Sequence, residues 1–131
     1  MTIDRWISGH AAAKPDAPAI VFQGETWSYA DFAARIEETA AALAASGVGA
    51  GDRIAWYGLN RPDVFSLMFA AARLRAIFCP LNWRLAAAEV AGIVDDCAPK
   101  LVVYDDHFAH PAQALAGESR RIVHHAAVPD K

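Results

Sequence analysis

The sequence of 131 residues predicts an α/β fold: a layered, mainly parallel sheet with flanking helices, plus a small N-terminal β-hairpin. Short apolar runs typical of buried strands begin near Arg53, Ile77, Leu101 and Arg121. A helical stretch separates each run from the next, and each stretch is long enough for the crossover that joins parallel strands. Two further β-type runs, only a few residues apart, lie N-terminal to these and end at Tyr29. These observations predict the sheet and the hairpin respectively.

The first predicted elements are a helix and the hairpin. Thr2 is a suitable N-cap, Pro15 ends the helix, and apolar residues recur at helical spacing, so one helix face is expected to dock on the body. The spaced positions are Ile3, Trp6, Ile7 and His10. The runs 19–23 and 26–29 flank Gly24-Glu25, a pair suited to a type II′ turn with glycine first.

A long second helix follows the hairpin. Ser28 and Asp31 have the spacing of a capping box, and Gly47 marks the helix end. The apolar stripe between them consists of Phe32, Ile36, Ala40 and Leu43. The glycine-rich run 47–51 follows a helix, whereas a dinucleotide-binding loop follows a strand and opens a helix, so a helix cap and turn are the favoured interpretation.

The stretch from Gly51 to Arg84 reads as strand, turn, helix and strand, which is one βαβ unit. We expect strands over 53–57 and 77–81 and a helix over 62–75. Apolar side chains occupy nearly the whole circumference of that helix, so it should lie beneath the sheet and also against further structure.

The remaining elements continue the alternation. A helix over 86–97 ends before Pro99, a compact strand covers 101–104, a weak helix covers 107–116, and a last strand covers 121–125. The Asp105-Asp106 pair between them predicts a turn or a helix start. The tail 126–131 is expected to be frayed.

Composition excludes several classes of protein. Twelve basic and fifteen acidic residues give a net charge of −3, which does not indicate a nucleic-acid or membrane-surface partner. No apolar run is long enough for a membrane span and no signal peptide is evident, so we expect a cytoplasmic protein. Cys79 and Cys97 are expected to be reduced, buried thiols.

The residues with chemical potential are mainly histidines and aspartates. Asp106, His107, His110, His124 and His125 could in principle bind a metal ion, but adjacent strand positions point to opposite faces, so exposed histidines are the favoured interpretation. Asp95 and Asp96 diverge by about 100° on a helix and do not form a carboxylate pair. Residue chemistry alone therefore predicts no catalytic residue and no metal site.

Four sequence blocks, in order, carry a resemblance to a known family. They are Ser28-Tyr29-Ala30-Asp31-Phe32, Gly51-Asp52-Arg53-Ile54-Ala55, Asn60-Arg61-Pro62-Asp63 and the stretch from Ala76 to Leu85 that contains Pro80-Leu81-Asn82-Trp83-Arg84. The chain, from about Trp6 to Tyr104, resembles the N-terminal region of AMP-forming acyl-CoA synthetases, which belong to the adenylate-forming superfamily. The resemblance implies a partial N-terminal domain of the adenylate-forming fold over residues 1–131, without the phosphate loop and the C-terminal domain.

The resemblance also implies a reaction. In this family a carboxylic acid and Mg-ATP give an acyl-adenylate and pyrophosphate, and CoA then displaces AMP. The nucleotide-binding motifs, the Mg²⁺-binding segment and the catalytic lysine lie downstream of the region resembled, so this chain is expected to be inactive alone and to bind neither ATP nor Mg²⁺ by itself. The resemblance implies a functional role for one residue of this chain, Arg84, as a contact to the CoA phosphates. A guanidinium is suited to this role because it can bind phosphate through two parallel hydrogen bonds. A surface or helix-capping arginine is the alternative.

Two other hypotheses remain open. A non-catalytic binding protein could retain this scaffold and associate with itself, with a partner or with the remainder of such an enzyme, since an all-apolar helix requires a neighbour. A small metal-binding protein that uses the histidines is the third. The sequence does not specify which carboxylic acid would be activated.

Overall fold

The computed structural model describes residues 2–117 and 121–125. The helices are α1 (Asp4–Ala13), α2 (Tyr29–Ala45), α3 (Pro62–Arg73), α4 (Ala87–Cys97) and α5 (Ala109–Gln113). The strands are β1 (Pro18–Phe22), β2 (Glu25–Ser28), β3 (Arg53–Tyr57), β4 (Ile77–Pro80), β5 (Leu101–Tyr104) and β6 (Arg121–His124). A 3-10 turn over Asp106–Phe108 precedes α5.

Within the described residues, four strands form one sheet in the order β4-β3-β5-β6, and every neighbouring pair is parallel. Strands β1 and β2 form a separate antiparallel hairpin. The α/β fold predicted from the alternation of strands and helices is therefore confirmed. The βαβ unit is also confirmed, because β3 and β4 pair directly and α3 lies between them in sequence.

Helices cover both faces of the sheet. Alternate residues of β3 point to opposite faces of the sheet. Ile54 and Trp56 pack in one core with α2 and α3. Ala55 and Tyr57 pack in a second core with α4 and α5. Strands buried on both faces read as continuous apolar runs, which explains why β3 and β5 were recognisable from sequence.

Helix α3 obtains most of its neighbours from within the chain. Leu67, Ala70 and Ala71 are buried in the core that also contains α2 residues, and the rings of Phe32 and Phe69 meet edge to face with centroids 5.7 Å apart. Phe65 is the exception, with 46% of its surface exposed. The expectation of a helix buried between the sheet and further structure is thus correct except at Phe65.

The hairpin exists, but the predicted turn is wrong. Phe22 pairs with Glu25, so the two turn residues are Gln23 and Gly24, with φ of 48° and 81°. Positive φ at both central positions is the pattern of a type I′ turn rather than type II′. The right-handed twist of the flanking strands favours this turn, although it places a glutamine in the left-handed region.

The ends of the first two helices differ in how well sequence predicted them. Helix α1 has Ile3 rather than Thr2 at its N-cap position, and none of its residues is fully buried, although Ile7 packs against the core and Trp6 stays 59% exposed. The predicted capping box of α2 is present, with Ser28 and Asp31 exchanging two 3.1 Å hydrogen bonds.

The predicted glycine cap after α2 is also present. The amide of Gly47, whose φ is 91°, donates to Ala44, and the amide of Val48 donates to Leu43. This pair of bonds is a Schellman motif, and the contact between buried Val48 and Leu43 completes it.

Several later elements, β4 and α4 among them, are shorter than predicted. Helix α3 ends at Arg73, because Arg75 adopts a left-handed φ of 58°. The weak helix divides into the 3-10 turn and α5, and β6 ends at His124, one residue early. The tail 126–131 lies outside the described residues. No helix in the described part of the chain has the length and hydropathy to cross a membrane.

Candidate functional site

The strand order places a topological switch point at the carboxyl edge of the sheet. From β3 the chain passes to β4 on one side and then returns to β5 on the other side of β3. The loops that leave the carboxyl ends of β3 and β5 therefore diverge, and this switch point is where α/β sheets commonly bind ligands. The candidate site is accordingly the carboxyl edge of the sheet.

Asp105, directly after β5, lies at this switch point. Its side chain is buried, and its Oδ2 accepts a 2.7 Å hydrogen bond from the amide of Leu59 on the β3 loop. Its Oδ1 accepts from the amide of His107, 3.0 Å away, and so caps the 3-10 turn. One carboxylate thus ties together the two loops at the switch point.

Gly58 permits this close approach. A Cβ atom at Gly58 would lie 2.7 Å from Asp105 Oδ2 and 2.8 Å from the ring atom Cζ2 of Trp56. Because real Cβ atoms do not approach other atoms so closely, a larger residue requires the loop or the carboxylate to move.

A second group of side chains lies beside Asp105, and we call Asp63, Asp106, His124 and His125 the strand-end cluster. His124 Nε2 contacts Asp106 Oδ1, and His125 Nδ1 donates to Asp63 Oδ2 over 2.7 Å. Asp106, His124 and His125 each bring one potential ligand atom to within 4.8 Å of the others. The cluster therefore joins the ends of β5 and β6 to the first turn of α3.

Burial and charge differ within the cluster. His125 is 8% exposed overall, whereas 76% of the Asp106 side chain is exposed. The hydrogen bond from His124 lowers the pKa of the Asp106 carboxyl below its ordinary value, and a partial desolvation opposes this effect. Arg61 Nε lies 3.6 Å from Asp63 Oδ2, so Asp63 faces a guanidinium as well as His125.

The expectation that His124 and His125 point to opposite faces of one strand is wrong. β6 ends at His124, and the two ring centroids lie 4.4 Å apart. His107 and His110, which were considered with them, do not join the three-residue group found among the described residues. His107 instead lies beside Asp105, with 3.7 Å between Nδ1 and Oδ1.

Sequence reasoning missed Asp63 and Asp105 as site residues. Asp105 follows a four-residue apolar strand directly, and a polar residue at the carboxyl end of a buried parallel strand is a usable signal. Asp63 carried no comparable signal, because an acidic residue in a first helical turn is common.

Arg84 occupies a different part of the same edge, after β4. Its guanidinium lies over the ring of Trp83 at 4.6 Å from the centroid, and its amide donates to Asn82 Oδ1 over 3.1 Å. Arg84 is exposed, and no carboxylate within residues 2–117 or 121–125 forms an ion pair with it. The N–H groups of its guanidinium are therefore available to bind an anion such as a phosphate.

The basic residues at the opposite, amino edge of the sheet have structural partners. Lys100 Nζ donates to the carbonyl of Gly47 over 2.6 Å and lies 3.5 Å from Asp52. Arg53 donates to the carbonyl of Cys97 over 2.9 Å. These cations hold loops in place, so the amino edge is the weaker candidate.

Both cysteines are free thiols, as predicted, but both are partly rather than fully buried. Burial raises the pKa of the Cys97 thiol, and the neighbouring Cys79 raises it further. Cys97 is therefore mostly protonated at neutral pH, which does not suit a nucleophile.

Comparison with known proteins identifies relatives along nearly the whole chain. The family model described as AMP-binding enzyme matches residues 7–131. The chain is 41% identical over 115 residues to an indoleacetate–CoA ligase of Aromatoleum aromaticum, covering 88% of this chain and 22% of that protein. It is 39% identical over 92 residues to a long-chain-fatty-acid–CoA ligase of Mycobacterium tuberculosis, covering 70% of this chain and 18% of that protein.

Solved structures share the fold. A Mycobacterium tuberculosis fatty acyl CoA synthetase superposes with a TM-score of 0.86 at 29% identity, over 94% of this chain and 26% of that one. The N-terminal domain of FACL13 from the same organism gives a TM-score of 0.86 at 28% identity, over 94% of this chain and 33% of that one. The chain thus spans about a fifth of the length of the curated relatives that it matches.

Proposed function

The chain belongs to the AMP-binding enzyme family, and on this basis we propose that it forms the N-terminal part of the large domain of an AMP-forming acyl-CoA synthetase. The observation that carries the proposal is the identity of 41% to an indoleacetate–CoA ligase over 88% of this chain. The overall reaction would convert a carboxylic acid, ATP and CoA into an acyl-CoA, AMP and pyrophosphate. Because ATP and CoA are cytoplasmic metabolites, a cytoplasmic location is part of the same proposal.

The substrate in this proposal is a carboxylic acid of unspecified type. The named relatives include ligases for indoleacetate, 3-hydroxybenzoate and long-chain fatty acids. These acids share the carboxylate and differ in the rest of the molecule. The comparisons therefore support the acid–thiol ligase class, and a role in fatty acid metabolism is one version of the proposal.

The described residues supply scaffold rather than adenylation chemistry. Adenylation requires groups that neutralise the charge that develops on the ATP phosphates. The cations at the amino edge already bind loop carbonyls, and the sequence holds no match to the family's nucleotide-binding motifs. We therefore assign no step of the reaction with ATP or Mg²⁺ to this chain, and residues 1–131 alone should not adenylate a carboxylate.

The coding sequence after Lys131 provides the first test. A Ser/Thr/Gly-rich phosphate loop encoded within the following few dozen codons is the expected result. A stop codon without such a loop would contradict the proposal and favour a binding protein that retains the scaffold. That alternative was motivated by the all-apolar α3, which packs against neighbours within the chain except at Phe65.

Arg84 is the residue that we propose to contact CoA, through the phosphates of its nucleotide. The exposed guanidinium, its stacking on Trp83 and the lack of an ion-pair partner among the described residues support this role. Hydrogen bonds to charged groups contribute about 1.5–3 kcal/mol, and the lower figure suits an exposed site. Arg84→Ala in the complete enzyme should therefore raise the KM for CoA about 10-fold.

The control for this test is the first half-reaction. ATP–pyrophosphate exchange does not involve CoA, so Arg84→Ala should leave its rate unchanged, and Arg84→Lys should recover only part of the CoA affinity. An unchanged KM for CoA would refute the contact. Equal losses in both half-reactions would indicate a structural role for Arg84 instead.

A further inference from the structure

We propose that Asp106, His124 and His125 form a binding site for a divalent transition metal ion of the Zn²⁺ type. Two imidazoles and one carboxylate are a common ligand set for such ions, and their potential ligand atoms lie within 4.8 Å of one another. Ligand atoms on a tetrahedral zinc ion lie about 3.4 Å apart, so only small rotations of the side chains are needed.

The hydrogen bond of His125 supports this assignment. Metal-binding histidines usually donate their second ring nitrogen to a carboxylate, which fixes the ring and its tautomer. His125 Nδ1 donates to Asp63 Oδ2 over 2.7 Å, which leaves Nε2 as the nitrogen for the metal ion. His125 is also 8% exposed, so its ring is held by packing before any ion binds.

The charges of the cluster are suitable as well. His124 now contacts the Asp106 carboxylate, and a metal ion would take the place of the proton that this contact shares. Two neutral imidazoles and one carboxylate would leave a net charge of about +1 on the bound ion; Asp63 adds a negative charge behind His125, and Arg61, 3.6 Å from Asp63, offsets part of it. Three protein ligands leave a further position for water, as in open zinc sites.

The site is independent of the ligase function proposed above. Arg84 lies after β4, whereas Asp106 follows β5 and the two histidines lie at the carboxyl end of β6. The three metal ligands also lie outside the four sequence blocks that carry the family resemblance. A bound ion would connect the end of β6 to the 3-10 turn after β5 and, through Asp63, to α3.

Titration of the untagged 131-residue chain with Zn²⁺ and Co²⁺ tests the proposal. We expect one ion per chain by calorimetry and the visible absorption of low-symmetry Co²⁺ with nitrogen and oxygen ligands. Asp106→Asn and His124→Gln should abolish both signals, and these side chains are exposed enough for the variants to fold. His110→Gln, which removes a histidine outside the cluster, is the matched control and should bind as the unchanged chain does.

Asp63→Asn tests the supporting hydrogen bond. Loss of such a carboxylate typically weakens metal binding about 10- to 100-fold without removing a ligand. Circular dichroism of every variant verifies folding, so a loss of binding is not confused with unfolding. The proposal is overturned if the unchanged chain shows no saturable binding, or if Asp106→Asn and His124→Gln bind as tightly as His110→Gln.

Discussion

Replacement of Asp105 by alanine should destabilise the fold by about 2.5–4 kcal/mol. The carboxylate accepts one hydrogen bond from the His107 amide at the cap of the 3-10 turn, and loss of such a cap costs about 1 kcal/mol. The bond from the Leu59 amide to the same charged group contributes about 1.5–3 kcal/mol. Domains of this size have a total stability of about 5–15 kcal/mol, so the change is easily measured.

Urea unfolding followed by circular dichroism and tryptophan fluorescence measures this effect. The matched control is Asp96→Ala, because Asp96 is an exposed aspartate on α4 and such substitutions change stability by less than about 0.5 kcal/mol. Asp105→Asn should fall between the two, with a loss of about 1–2 kcal/mol, since an amide keeps one acceptor oxygen and presents a donor to the other amide.

A loss of less than about 1 kcal/mol in Asp105→Ala would contradict this prediction, since two hydrogen bonds to a buried carboxylate contribute more than that. Equal free energies of unfolding for Asp105→Ala and Asp96→Ala would contradict it as well. Equal stability of Asp105→Asn and the unchanged chain would show that only one of the two hydrogen bonds contributes.

Two further predictions concern the loops at the two edges of the sheet. Gly58→Ala should destabilise the fold by about 1–3 kcal/mol, because the added Cβ overpacks the loop. Gly92→Ala on α4 adds a Cβ with no atom within 4 Å and should stabilise the fold by about 0.5–1 kcal/mol. Urea unfolding in which both substitutions change the free energy of unfolding in the same direction would contradict this prediction. The amide of Gly49 donates to Asp52 over 2.8 Å and lowers the pKa of that carboxyl below its ordinary value. The stability that this bond contributes is present above the unfolded-state pKa of Asp52 and is lost as pH falls through its folded-state pKa. Asp52→Asn should therefore be less stable than the unchanged chain at pH 7, and the difference in the free energy of unfolding should shrink at about pH 3. A difference that stays constant with pH would contradict this prediction.

Hydrophobic patterning predicted the sheet well because its two central strands, β3 and β5, are buried on both faces. β3 and β5 match the predicted runs at both ends, since every position from Ile54 to Tyr57 is buried and must be apolar. The capping box at Ser28 and the cap at Gly47 were also recognisable, because each depends on side chains or glycines a few residues apart. Local rules are sufficient wherever the determining contacts are local.

The failures involve geometry that local rules do not contain. The turn is displaced to Gln23-Gly24 because the strand register, not the most favourable glycine position, decides which residues lie at the tip. His124 and His125 converge because β6 ends between them, and the end of an edge strand depends on its partner. Asp63 joins them across 62 residues of sequence, a pairing that only the packed fold specifies.

The two proposed sites can be tested separately because the sheet keeps them apart. Arg84 follows β4, whereas Asp106 follows β5, two strands away, and His124 ends β6, three strands away. Two and three strand spacings amount to about 10 and 14 Å, and both distances exceed the screening length of about 8 Å at physiological ionic strength. A charge change in the strand-end cluster should therefore not reach Arg84 electrostatically. If His124→Gln alters the KM for CoA, the two sites must be coupled through movement of the β3 and β5 loops, and Asp105 is the residue that joins those loops.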